Sequence, residues 1–255
     1  MRRFSPCPAL RVAWVLAFAS LAAPADARAE AVELELVLAV DASSSVNRAE
    51  FDLQVTGIAR AFGHPSVLNA IEAVGGNGIA VTLLQWSGTD QQKLAVPWTR
   101  VHDPDTAGSF GDAVGVAPRY VLTGGTAIGQ ALEAALAAFE GNGFEGRRRA
   151  IDISGDGRAN VGLRPEIASQ GAAAAGITIN GLAILNEEPG LDRYYLDNVI
   201  GGPGAFLMTA TNYDDFATAI RRKLIQEIAG APVASREPPK TQENVEGSAQ
   251  AAGNP

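Results

Sequence analysis

Cysteine is nearly missing from this chain. Cys7 is the single one in 255 residues, and histidine occurs only at His64 and His102. Cys7 falls within an N-terminal export signal, so the remainder has no disulfide, no thiolate metal site and no cysteine nucleophile. The two histidines are far apart in sequence with no nucleophile beside them, so a Ser-His-Asp arrangement is unsupported. Long apolar runs are also lacking: residues 12–23 (VAWVLAFASLAA) fall short of the ~20 residues a membrane span needs. Gly124 to Gly129 (GGTAIG) has no lysine and so does not make a phosphate loop. Basic side chains are outnumbered 20 to 28, for a net charge of −8. Nucleic acids and anionic membranes would require the opposite balance.

The features that are present divide the chain in three. Arg2, Arg3 and Arg11 flank the apolar run, and Ala25-Asp26-Ala27 or Ala27-Arg28-Ala29 offers a cleavage site, so residues 1–29 read as a signal peptide. An uncleaved anchor is the alternative, and the Arg2-Arg3 pair also fits the twin-arginine route. Cleavage leaves 16 basic and 27 acidic residues, net −11, in an exported protein that is either periplasmic or released. Residues 231–255 are rich in Pro, Ala, Glu and Gly without apolar periodicity, and read as a disordered tail that offers no second apolar span. Residues 31–230 form the expected folded domain, large enough to bury a core without cross-links.

Within that domain, apolar runs of strand length alternate with helix-period segments. Strands are expected at 32–40, 79–86, 93–98, 149–154, 177–184 and 205–209; helices at 47–62, 66–74, 103–116, 126–140, 165–175, 191–199 and 213–228. Asn47 with Glu50 has the form of a capping box, and Asp103-Pro104 that of a cap followed by a first-turn proline. This alternation predicts a doubly wound α/β domain: a mainly parallel sheet of about six strands, with one antiparallel edge and helices on both faces. Its chemistry belongs in the loops beyond the carboxyl ends of the strands.

Three such loops match one another chemically. Asp41-Ala42-Ser43-Ser44-Ser45 follows the first strand, Thr123-Gly124-Gly125-Thr126 opens the Ala-rich helix, and Ser154-Gly155-Asp156-Gly157 follows RAIDIS. Each taken alone reads as a turn or a helix cap. Together they offer two carboxylates and three hydroxyls, hard oxygen donors suited to Mg²⁺, Mn²⁺ or Ca²⁺. Asp41, Ser43, Ser45, Thr126 and Asp156 are therefore the candidate metal ligands, and no catalytic residue is assigned.

DASSS, TGGTAIGQALEAA and ISGDGRANVG resemble the signature segments of von Willebrand factor type A (vWA) domains, closest to secreted bacterial single-domain members. The resemblance implies a divalent cation at a metal-ion-dependent adhesion site. Ser43 and Ser45 would contact the metal directly, Thr126 would do so depending on conformation, and Asp41 and Asp156 would hold it, often through water. A partner protein's acidic side chain would fill the open place. Gly155 departs from the pattern, since relatives often carry Thr there. The expected function is thus a non-enzymatic, metal-dependent protein-binding module, with a metal-dependent hydrolase or a domain with a vestigial metal site as alternatives.

Other residues are read more simply. Arg147-Arg148-Arg149 reads as a solvated turn before a strand, and Trp86 as core. Asp152, between Ile151 and Ile153, either orients the metal loops or pairs with an arginine. Residues 186–189 and 200–204 are candidates to border the site.

Overall fold

A computed structural model describes residues 29–121 and 123–230. The expected tail, and the expected signal apart from Ala29, lie outside the described residues. Six strands form one sheet: β1 (Glu30–Asp41), β2 (Ile79–Trp86), β3 (Gln92–Val101), β4 (Phe144–Gly155), β5 (Thr178–Ile184) and β6 (Leu207–Ala210), in the order β3-β2-β1-β4-β5-β6. Every pairing is parallel except β2–β3, so the antiparallel edge lies where the short 79–98 connection places it.

Seven helices cover the sheet: α1 (Arg48–Phe62), α2 (Pro65–Ala73), α3 (Pro104–Gly115), α4 (Ile128–Ala137), α5 (Pro165–Ala174), α6 (Leu191–Asn198) and α7 (Tyr213–Ala229). Strand alternation sorts side chains between two cores. Leu34, Leu36, Leu38 and Val40 of β1 pack with α1, α2, α3 and α7, through Phe51, Ile58, Phe62, Phe110, Phe216 and Leu224. Val37 and Ala39 face the other way, towards Ile128 and Leu132 of α4, Ala172 of α5 and Tyr195 of α6. Each large side chain removed from water contributes roughly 1.5–3 kcal/mol, so two filled layers hold the sheet without covalent help.

Helix starts follow local chemistry. Asn47 and Glu50 form the capping box reciprocally, and Asp103 caps α3 ahead of Pro104. Two expectations change. The helix expected from 126 begins at Ile128 with Ala127 as its cap residue, so Thr126 is not a helix cap. Arg147, Arg148 and Arg149 are not a turn but part of β4, paired alongside Leu34 and Glu35 of β1, because the β1–β4 ladder extends below the helices. Arg148, although exposed, donates to the carbonyls of Glu227 and Ile228, closing the C-terminal end of α7.

Both ends of the described chain leave from the strand-start edge. Glu30 opens β1 there, and Gly230 follows α7 beside the Arg148 guanidinium, 2.9 Å from where its Cβ would stand. No helix among the described residues is long and apolar enough to cross a membrane.

Candidate metal centre

The loops after β1 and β4 emerge side by side at the point where strand order reverses, since β1 pairs with β2 on one side and β4 on the other. Asp41 ends β1 opposite Trp86, and its Oδ1 accepts from the Ser43 amide at 2.7 Å, an Asx turn that bends the chain. The turn brings Ser43 Oγ to within 3.1 Å of Ser45 Oγ, and Ser45 Oγ donates to Asp156 Oδ1 at 2.7 Å. Ser44 is exposed and contributes its amide to the Gly124 carbonyl, which ties the first loop to the second.

Thr126 is buried at the head of α4. Its amide donates to Asn160 Oδ1 at 2.8 Å, and its carbonyl accepts from the Asn160 amide. Gly125 permits this contact, because a Cβ there would stand 2.7 Å from Val161 and 2.9 Å from Asn160 Oδ1. Ser45, Thr126 and Asp156 line one open cleft of about 400 Å³, whose far wall is Arg158, Glu187 and Glu188. Of the two border segments expected, 186–189 is therefore correct. Residues 200–204 lie elsewhere: Gly201 bridges Ile179 and Gly202 sits against Ile177, near the start of β5 on the opposite edge of the sheet.

The electrostatics are unusual for a buried site. Asp41 and Asp156 are fully buried, yet among the described residues neither forms an ion pair with Lys, Arg or His. Burial, followed by the charge of Asp156, pushes the Asp41 carboxyl up to about 7. Asp41 Oδ2 is buried with no hydrogen-bond partner. This donor set, all oxygen with an orphaned carboxylate atom and no ion pair among the described residues, fits a hard divalent cation. Among the described residues no three His, Cys, Asp or Glu side chains gather as a metal group, since hydroxyls make up the rest of the cluster.

Several residues that the sequence reading passed over support the loops. Tyr213, the first residue of α7, donates its hydroxyl to Asp156 Oδ2 at 3.0 Å, and burial holds that hydroxyl protonated. Gln54 of α1 donates to the Asp41 carbonyl at 2.9 Å. Tyr195 of α6 brings its buried hydroxyl to 2.6 Å from where a Gly155 Cβ would lie, with Asp41 Oδ2 2.9 Å from the same point. The glycine that departs from the vWA pattern thus leaves room for a tyrosine. No sequence periodicity marks these residues, because each acts through a tertiary contact. Asn160 alone lay within a quoted motif. Asp152 faces α7 and pairs with Lys223 at 2.7 Å, so its partner is a lysine from the opposite core layer rather than an arginine or the metal loops.

The family model for a "Protein of unknown function (DUF1194)" matches residues 31–232. The chain belongs to that family. No curated protein matches it by sequence. In structure it is similar to proximal thread matrix protein 1 from the mussel byssus, with a TM-score of 0.61 and 17% identity over 79% of this chain and 49% of that one. The chain therefore spans about half the length of that relative. The vWF domain of the type V pili tip protein Mfa5 from Porphyromonas gingivalis matches with a TM-score of 0.55 and 13% identity, over 77% of this chain and 95% of the other. A crystal form of the mussel protein described as having a zinc-occupied MIDAS motif matches with a TM-score of 0.55 and 17% identity, over 78% and 46%. The fold is that of a vWA domain.

Proposed function

We propose that this DUF1194 protein is an exported binding module in which Asp41, Ser43, Ser45, Thr126 and Asp156 hold a divalent cation that captures an acidic group of a partner protein. The observation that carries this reading is the pair of buried carboxylates that, among the described residues, form no ion pair with a cation of the chain itself. Isolated buried charges cost several kcal/mol each, and an external M²⁺ would offset both while keeping a coordination place free. The zinc-occupied motif of the structurally similar mussel protein and the pilus-tip vWF domain are consistent with a metal-dependent adhesive role. Mg²⁺ suits the hydroxyl-rich donor set best, with Mn²⁺ and Ca²⁺ as the other candidates. The signal-like residues 1–29 support export.

The cleft also bears on the partner. Arg158 is paired with Glu188 and lies 5.2 Å from the centre of the Tyr194 ring, whereas Glu187 on the same wall has only the Asn186 amide at 3.4 Å. A partner whose acidic group is accompanied by a basic side chain would meet less repulsion there than a purely acidic one.

The test is calorimetric titration of Mg²⁺, Mn²⁺ and Ca²⁺ into the wild-type chain and Asp41→Ala, followed by pull-down from an envelope extract with and without chelator. Saturable binding and chelator-sensitive capture, both lost in Asp41→Ala, support the reading. A well-folded protein that binds none of the three ions rejects it.

A further inference from the structure

The cation nearest the metal loops belongs to neither the cluster nor its rim. Arg119 sits in the segment 116–127 between α3 and α4, a stretch whose sequence shows no periodicity. Its guanidinium donates to three carbonyls of the first metal loop: Ala42 at 2.5 Å, Ser43 at 2.9 Å and Val46 at 3.0 Å. It lies 5.5 Å from the centre of the Phe51 ring on α1, which fixes the plane of the fork. The segment itself is pinned from below. Gln85, fully buried on β2, donates to the Pro118 carbonyl at 2.9 Å and accepts from the Tyr120 amide at 2.7 Å. Seven residues further along, the same segment ends in Thr126.

A positive charge this close to a cation site would by itself oppose metal binding. Its hydrogen bonds, however, all go to backbone oxygens, and it forms no ion pair with Asp41 or Asp156. By drawing the carbonyls of residues 42, 43 and 46 together, the fork sets the curvature of the turn in which the Ser43 and Ser45 hydroxyls meet each other and Asp156. We propose that Arg119 is the positioning residue of the metal centre: it holds the 41–46 loop in ligand geometry. This rests on the metal reading given above. The planar fork matters as well as the charge, because a lysine cannot satisfy three fixed acceptors in the same way.

The test compares wild type, Arg119→Gln and Arg119→Lys, using the full chain with Mg²⁺ alone and Ca²⁺ alone as probes in calorimetric titrations. Mg²⁺ demands near-ideal octahedral geometry, whereas Ca²⁺ tolerates variable coordination. Loss of a group that orients ligands typically costs 10–100-fold in metal affinity. The expected result is a loss of about tenfold or more for Mg²⁺ in both variants and a markedly smaller loss for Ca²⁺, with circular dichroism unchanged. General loosening of the fold would weaken both ions equally, so equal losses overturn the proposal, as does unchanged Mg²⁺ affinity. If Arg119→Gln fails to fold, Arg119→Lys carries the same expectation and the same refutation. Failure of wild type to bind either ion is a different outcome, which removes the metal reading itself.

Discussion

The protein buries two pairs of carboxylates, and the contrast between them is instructive. Asp152 of β4 and Glu227 of α7 share Lys223, whose ammonium lies 2.7 Å from each, and Asn180 donates to Glu227 at 2.9 Å. Burial and Asp152 push the Glu227 carboxyl up to about 8. Asp41 and Asp156 are as deeply buried, but their carboxylates accept from the Ser43 amide, the Ser45 hydroxyl and the Tyr213 hydroxyl. The first pair carries its own cation and stabilises the packing of α7 on the sheet. The second forms no ion pair among the described residues, which is the arrangement expected where a counter-charge arrives from solution.

Breaking the first pair produces the largest effect. Lys223→Met strands Asp152 and is expected to cost about 3–5 kcal/mol of folding stability, read from urea unfolding, while Mg²⁺ affinity stays within about twofold because the metal loops lie at the far edge. The opposite outcome, intact stability with lost metal affinity, would erase the distinction between the two pairs.

Breaking the second pair has the reverse signature. Asp41→Asn in chelator is expected to unfold at or above the wild-type denaturant midpoint, since it removes a buried repulsion, and to lose the metal response. Wild type at Mg²⁺ about 100-fold above its Kd should gain about 2.7 kcal/mol. A destabilised Asp41→Asn that still responds to Mg²⁺ would contradict the comparison.

A pH series sharpens the first pair further. The Glu227 carboxyl, faced by Asp152 from β4, Lys223 from its own helix and Asn180 from β5, has a folded pKa above its unfolded value. It binds its proton more tightly when folded, so its contribution to stability is complete below about pH 4.5 and fades as pH rises through about 8. Glu227→Gln should therefore flatten the decline in unfolding free energy between about pH 4.5 and pH 8. An identical slope in wild type and variant would show that the group is not the source.

The smallest effects lie within the DASSS loop itself. Ser43→Ala should lower Mg²⁺ affinity about tenfold, whereas the exposed Ser44→Ala should change neither metal affinity nor stability by more than about 0.5 kcal/mol.

Much of this was legible in residue patterns. The alternation of apolar runs and helix-period segments implied a mainly parallel sheet, and Asn47–Glu50 and Asp103–Pro104 marked their helices directly, because caps are local. The five candidate ligands were chosen because each sits at a strand or helix boundary, and the fold brings those boundaries to one edge. Arg119, Tyr213 and Tyr195 stayed hidden because their roles depend on the register between distant elements. For Arg147 to Arg149 the reading was half right: the side chains are exposed as a run of arginines suggests, yet the ladder with β1 makes their backbone strand instead of turn and gives Arg148 a helix end to close. Asp152 showed as anomalous, but its lysine partner lay 71 positions further on in α7.

The positions of the two chain ends have a consequence for presentation. Glu30 and Gly230 leave the domain from the edge where the strands start, and the cluster of Asp41, Ser45, Thr126 and Asp156 crowns the edge where they finish. Chain continuing from either end of the described region is therefore separated by a full strand length of sheet from the cleft, and leaves that face of the domain open to solvent.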